Sequence, residues 1–390
     1  MFDPFRLTEK YRLCKSELCP CGSGLKYQEC CLGKNDSPRE SKKPPSVQAG
    51  ELLRKSLPKC CMYPDKSSCR GKIKQAHALQ NNKVISLLAG SRKHVYILNT
   101  KGNPLVVPLP GKSVATIVEV KEVGVNNATK ETCFCDYHDS SVFAPIEQGV
   151  PDYDGSFIMS FLYAYRAFIF EFYKHEAAMR LFNRVFALWP KTMCMSPHVN
   201  YYRRLQLRTS EFSSVKSYFD KHLLQSDYTG LYTCSKELPY QIKFATYAFI
   251  ALDYDLNGKK IKNTEEGAIH RVAITVFPEH NKSWILLSCM ESERKYYSGF
   301  FSQVISSSVE KVAFYFSFVL PLYSENIVIS PSLWESWDKM TQMAYTYYAN
   351  IKDREFVTMR TGVKFYLKNA AKKKSNDVYK HPPKINLFME

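Results

Sequence analysis

Lys59-Cys60-Cys61-Met62-Tyr63-Pro64, with Cys69 soon after, opens the stretch that decides how this chain folds. Cys133-Phe134-Cys135-Asp136-Tyr137-His138-Asp139 closes it, followed by the apolar-acidic Phe143-Ala144-Pro145-Ile146-Glu147. Between the two ends lie four β-prone runs, 84–88, 94–99, 105–109 and 114–120, separated by Gly90, Gly102-Asn103 and Pro110-Gly111. Thiols and an imidazole at both ends of such a loop are how a chain closes a tetrahedral metal site. Cys135-x-x-His138 has knuckle spacing, and Cys61 with Cys69 can supply the other two ligands. Cys60 and Cys133 are further thiols able to replace either of these. The expectation is a small sheet held at its base by zinc.

Ten of the thirteen cysteines lie before residue 136, most in tight pairs. No apolar leader opens the chain and no run of eighteen apolar residues interrupts it, so a cytoplasmic, soluble protein with no membrane partner is expected. In a reducing compartment clustered cysteines favour metal over disulfides. Cys194, Cys234 and Cys289 stand alone and read as small core residues. The net charge of +17 is unevenly spread. Residues 1–150 hold 23 Lys/Arg against 14 Asp/Glu, residues 360–390 eight against two, and the span between them is nearly neutral. A basic surplus confined to the cysteine-rich half and the tail points to phosphate backbones, hence nucleic acid, as the partner.

A second cysteine set precedes the first: Cys19-Pro20-Cys21-Gly22-Ser23-Gly24-Leu25-Lys26-Tyr27-Gln28-Glu29-Cys30-Cys31. It resembles the SEC-C motif, the small zinc knuckle best known at the C-terminus of the bacterial preprotein translocase motor. That motif runs C-x-C, eight residues, then C-C or C-H, and here only its last lysine is replaced, by Gln28. Independently of the resemblance, Gly22 and Gly24 permit positive φ beside a metal, and four thiolates complete a tetrahedron. With all four positions filled the site is structural. The resemblance implies zinc and contact with a protein partner or nucleic acid.

Ala76-His77 at a predicted strand end, with the later Phe-Cys-x-x-His-Asp, resembles a divergent HNH (ββα-metal or treble-clef) nuclease. That resemblance implies His77 as a general base activating water, and Asn126 or Asn127 orienting it. His138 with Asp139 would hold either zinc or a catalytic Mg²⁺ or Mn²⁺. The alternative is a purely structural zinc fold with His77 hydrogen-bonded beneath it. Similarity to bacterial SEC-C proteins further implies a role in defence against foreign nucleic acid.

The rest of the chain carries no chemical signature: no P-loop, no G-x-G-x-x-G after a strand, no G-x-S-x-G and no H-E-x-x-H. Helices are expected over 156–188, with Arg166 and Glu171 paired on one face, and over 201–224. Strands are expected over 241–252, 268–277 and 283–288, then a helix over 295–320 and a last helix to residue 350 capped by Ser330 or Ser332. The fold class is α+β: a small N-terminal zinc knuckle (1–33), a linker (34–50), a zinc-stabilised ββα or treble-clef-like domain (51–150), a larger α+β domain (151–359) and a basic tail (360–390). The tail reads either as solvated or as a phosphate-binding arm. Two functions follow from these residues. One is a zinc protein that cleaves nucleic acid with His77, Asn127 and Asp139. The other is a non-catalytic zinc protein that binds nucleic acid, ribosome or a protein through its SEC-C segment and basic half.

Overall fold

A computed structural model of the chain describes residues 13–38, 43–108, 114–148, 151–265, 268–350, 363–364, 366–373 and 385–389. Residues 1–18 read in the sequence as a short helix, Phe5-Arg-Leu-Thr-Glu-Lys-Tyr-Arg-Leu13, and of these 1–12 lie outside the described residues. In chain order the first elements are α1 (Tyr27–Cys30), α2 (Pro45–Ser56), β1 (Ile73–His77), α3 (Ser86–Ala89), β2 (His94–Leu98), β3 (Leu105–Pro108), β4 (Val114–Ile117), β5 (Val120–Gly124) and β6 (Lys130–Cys135). Next come α4 (Asp136–Val142), α5 (Ala144–Glu147), α6 (Phe157–Leu188), α7 (Pro190–Met193), α8 (Ser196–Gln225), β7 (Leu231–Leu238) and β8 (Phe244–Ile250). The last are β9 (Thr264–Glu265), β10 (Ala268–Ile269), β11 (Val272–Glu279), β12 (Lys282–Met290), α9 (Arg294–Ser306), α10 (Val309–Tyr323), β13 (Val328–Ile329), α11 (Pro331–Ser336) and α12 (Lys339–Asn350). The mixture of helix and antiparallel sheet is α+β. Among the described residues no helix is long and apolar enough to cross a membrane.

Two compact units share the chain. The first comprises residues 1–59, 101–117 and 172–218. Its core gathers Cys19, Tyr27 and Cys31 against Phe182, Phe186, Met193, Tyr202 and Leu205. The expected linker 34–50 is partly helical, because α2 begins at Pro45: proline suits the first helical position, where its missing N–H has no intrahelical role. Among the described residues strands β3 and β4 pair with each other alone.

The second unit comprises residues 60–100, 118–171 and 219–390. A seven-stranded antiparallel sheet of order β5-β2-β13-β8-β11-β12-β7 forms its frame. Every residue of β11 is buried, so both faces of that strand are covered. Every residue from Met159 to Phe170 is buried as well, which marks a helix enclosed on all sides, not an amphipathic one. The expected helix 295–320 is two, because Ser308 leaves the helical conformation and caps α10 by accepting from the Lys311 N–H. Ser330 caps α11 in the same way.

Three expectations are corrected here. The middle of the 60–147 stretch does not form its own metal-based sheet: β2 and β5 extend the seven-stranded sheet, and β3 and β4 belong to the other unit. The run 84–88 is not a strand; Ile85 N–H bonds the Gln80 carbonyl oxygen in a π-helical turn, Asn81–Ile85, that leads into α3. A lysine explains the difference. Lys83 reaches inward onto Glu279 at 2.7 Å while Val84 and Ile85 are buried too, a pattern without the apolar-in, polar-out alternation of a one-face strand. Thirdly, the described residues of the 360–390 segment are not a solvated arm: Val363, Leu367, Ala370, Ile385, Leu387 and Phe388 are buried in the core of the second unit.

Candidate metal centres and the His77 strand end

In the first unit Cys19 N–H bonds the Leu25 carbonyl oxygen at 2.8 Å, closing a tight loop in which Gly22 and Gly24 have φ of +81° and +77°. Only glycine takes that conformation cheaply. The loop faces Cys21 and Cys30 at 3.5 Å between sulfurs, with Cys30 and Cys31 at 3.7 Å. Zinc–sulfur bonds of about 2.3 Å in a tetrahedron require sulfurs about 3.8 Å apart, so the spacing fits. Ser23 Oγ donates to Cys30 Sγ at 3.2 Å. Burial pushes the Cys19 thiol up to about 11 and Cys31 higher still, so without a cation these sulfurs hold protons.

The second group lies in the second unit. Strands β1 and β6 pair antiparallel, with Ile73 opposite Cys135 and His77 opposite Lys130. Cys135 ends β6, and one helical turn later His138 on α4 brings Nδ1 to 3.2 Å from its sulfur. The loop before β1 returns Cys61 and Cys69 to 3.4 and 3.7 Å from the same nitrogen. A tetrahedral zinc site needs sulfur–nitrogen edges of about 3.6 Å. His138 is buried, its Nε2 is held by the Ser68 hydroxyl at 3.1 Å, and its ring stacks on Tyr63 at 3.9 Å. Fixing the remote nitrogen in this way sets which nitrogen binds the cation. Burial also pulls the imidazole's pKa down, leaving it neutral as a ligand must be.

Among the described residues these are the only two groups of three or more Cys, His, Asp or Glu donors that converge to within 4.8 Å: Cys19, Cys21, Cys30 and Cys31, and Cys61, Cys69, Cys135 and His138. Both sets could hold a metal ion. Cys60 is exposed and Cys133 buried, and neither joins a group.

One segment has a family match. Residues 16–33 carry a SEC-C motif. No curated protein and no solved structure matches the chain. Around the SEC-C motif the first unit supplies the apolar platform already described, and Glu17 accepts a charged hydrogen bond from Arg203 on α8. Gly22 is packed so closely that a Cβ there would meet the Asn183 side chain at 3.0 Å.

His77 sits at the far end of β1, four residues and about 13 Å along the strand from the cysteine end, too far to share that metal. Its Nδ1 bonds the Ala128 carbonyl oxygen at 3.0 Å, which makes Nδ1 the protonated nitrogen and Nε2 the basic one. Asn127, expected to orient it, is exposed on the turn Val125–Asn127, and the next residue's carbonyl takes that role. A main-chain acceptor cannot be read from side-chain identity. Asp139, expected beside His138 as a ligand, is outside both donor groups. Burial raises its carboxyl pKa, and Arg166 partly offsets this. Arg166 does not pair with Glu171 along α6: it donates to Glu147, while Glu171 accepts from Asn326 Nδ2 at 2.6 Å. Residues 144–147 form a separate short helix, and no periodicity signals that its carboxylate meets α6.

Burial holds His77 below the ordinary imidazole pKa, and this effect outweighs the Ala128 hydrogen bond. The folded chain therefore binds fewer protons at this group than the unfolded one. Its contribution is present above the unfolded pKa of about 6.5 and is lost as pH falls through the folded value. Urea midpoints measured from pH 7.5 to 5 should fall less steeply for His77→Gln than for the parent. Parallel curves would show that His77 is not the group responsible.

Proposed function

We propose that this is a zinc-stabilised protein that binds nucleic acid, with both metal groups structural. What carries the reading is that each group presents four converging donors and so offers a tetrahedral ion no open position for substrate. The cysteine-rich half also carries a surplus of basic residues, 23 Lys/Arg against 14 Asp/Glu in residues 1–150. Cation-rich surfaces bind phosphate backbones with a steep salt dependence. Elemental analysis should give two zinc ions per chain. Titration of a labelled oligonucleotide across a salt series should give a log–log slope of about −3 or steeper, equivalent to three or four neutralised phosphates. One zinc or none, or no binding in 50 mM salt by fully loaded protein, would end the proposal.

A second reading, phosphodiester hydrolysis, is supported by one observation: the Nδ1 bond to Ala128 leaves the His77 Nε2 lone pair in the state a general base needs. A Mg²⁺ or Mn²⁺ ion does not fit as readily, because no group of three donors gathers around His77 or Asp139 among the described residues. If the strand end is hydrolytic, zinc-loaded parent protein with Mg²⁺ or Mn²⁺ nicks plasmid. His77→Ala then lowers the rate by about a hundredfold at unchanged zinc content. No nicking by the parent removes this reading and leaves the binding proposal standing.

A further inference from the structure

Beside the second metal group runs an open groove of about 440 Å³ that neither the cation nor the strand end uses. Arg70 and Gly71, on the chain entering β1, form one wall. Asp136, Tyr137, Ser140 and Ser141, on the outer side of α4, form the other. The two walls are locked together by the backbone: Asp136 N–H donates to the Lys72 carbonyl oxygen at 3.0 Å and Tyr137 N–H to that of Arg70 at 3.4 Å. Gly71, at φ +75°, passes so near the helix that a Cβ would lie 3.0 Å from the Asp136 Cβ. The groove is therefore preformed and tied to the metal-held turn.

Its chemistry is specific in type. Tyr137 is 44% exposed, and the Arg70 guanidinium lies over one side of its ring, 5.3 Å from the centre. Arg70, Lys72 and Lys74 are all exposed along this edge. The one carboxylate in the groove, Asp136, is matched by Lys74 Nζ at 3.7 Å. An aromatic ring for a base, next to cations for its phosphates and serine hydroxyls for polar edges, is the combination that holds an unpaired nucleotide. In a duplex the base faces are already stacked and the ring would have nothing to bind.

We infer that this groove seats an unpaired nucleotide of a single-stranded nucleic acid, with its base on Tyr137 and its phosphate at Arg70. The inference rests on the nucleic-acid reading above and gives it a site and a substrate class. The test uses the full, zinc-loaded chain, a labelled oligothymidylate and a duplex of equal length. The single strand should bind more tightly than the duplex. Tyr137→Ala should weaken single-strand binding by about tenfold or more, and Tyr137→Phe, which keeps the ring, should stay near the parent. Because the Tyr137 ring also touches His138 at 5.1 Å between centres and Arg70 directly follows Cys69, zinc content is measured on each variant, with Arg70→Ala as the second. Parent-like single-strand binding by both zinc-loaded variants would overturn the groove while leaving the nucleic-acid reading intact. Failure of the parent to bind either oligonucleotide would overturn both.

Discussion

Cys135→Ser should lose the second metal ion and unfold β1, β6 and α4, while β2 and β5 remain in the seven-stranded sheet. Among the described residues the two strands pair with no third strand, so besides the ion the ribbon is held by core packing such as Phe134 on Phe143 and Tyr165. A structural zinc ion contributes about 10 kcal/mol or more in small modules, well above what a lone ribbon can supply. Cys135 is the pivotal ligand because it sits at once at the end of β6 and at the start of α4, within 3.2 Å of His138 Nδ1. Hydrogen exchange should show protection lost across 60–80 and 128–142 and retained in β8 and β11. Parallel elemental analysis should drop by one ion, not two, since the SEC-C cysteines are a separate set. Retention of both ions, or undiminished protection of β6 in the variant, would refute the assignment of the ligands.

The second large effect is expected at an ion pair with no part in metal binding. Lys83 is 4% exposed and Glu279 fully buried, and Lys83 Nζ donates to Glu279 Oε1 at 2.7 Å, to Asp152 Oδ1 at 2.9 Å and to the Pro151 carbonyl oxygen. Glu279 also accepts from the Tyr153 N–H at 2.8 Å and the Trp284 Nε1–H at 2.9 Å. The network is fully partnered, which is the condition under which a buried charge is tolerated. Lys83→Met leaves the buried carboxylate with only the partly exposed Lys282 ammonium, 3.9 Å away, and should cost about 3–5 kcal/mol. Glu279→Gln keeps an acceptor for one donor but leaves the buried Lys83 ammonium with only the exposed Asp152 as its carboxylate, and should also be destabilising. In the double variant both charges are gone, so the two losses should fall short of adding, with a coupling of roughly 1–3 kcal/mol. Chemical denaturation of the four proteins measures this directly. Strict additivity would show that the two side chains do not depend on each other.

Both predictions separate what was readable in the residues from what was not. Cysteine spacing declared both candidate metal sets, because four thiolates, or three and an imidazole, around an ion come from short turns and strand ends, and those leave recognisable gaps in the chain. Cys19-x-Cys21 with Cys30-Cys31, and Cys135-x-x-His138 with two upstream cysteines, converge in the structure as that argument requires. The strand ending at His77 and the caps at Ser330 were equally legible, since both are local.

Partnerships across the fold were not legible. Lys83 opens an apolar run and reads as the start of a strand, yet a carboxylate almost two hundred residues later draws it inward and winds the chain into a π-turn. Arg166 and Glu171 read as a pair on one helix, but five residues turn them about 140° apart, and each side chain meets the polar group that tertiary packing delivers, Glu147 and Asn326. The basic tail likewise hides Leu367 and Leu387 among lysines too sparse in pattern to announce a core. Local chemistry thus determined the two Cys/His donor sets, the strand ends and the helix caps. Only the tertiary structure decided which strands share a sheet, which buried charges meet and what holds His77, because those choices depend on desolvation by residues far away in the chain.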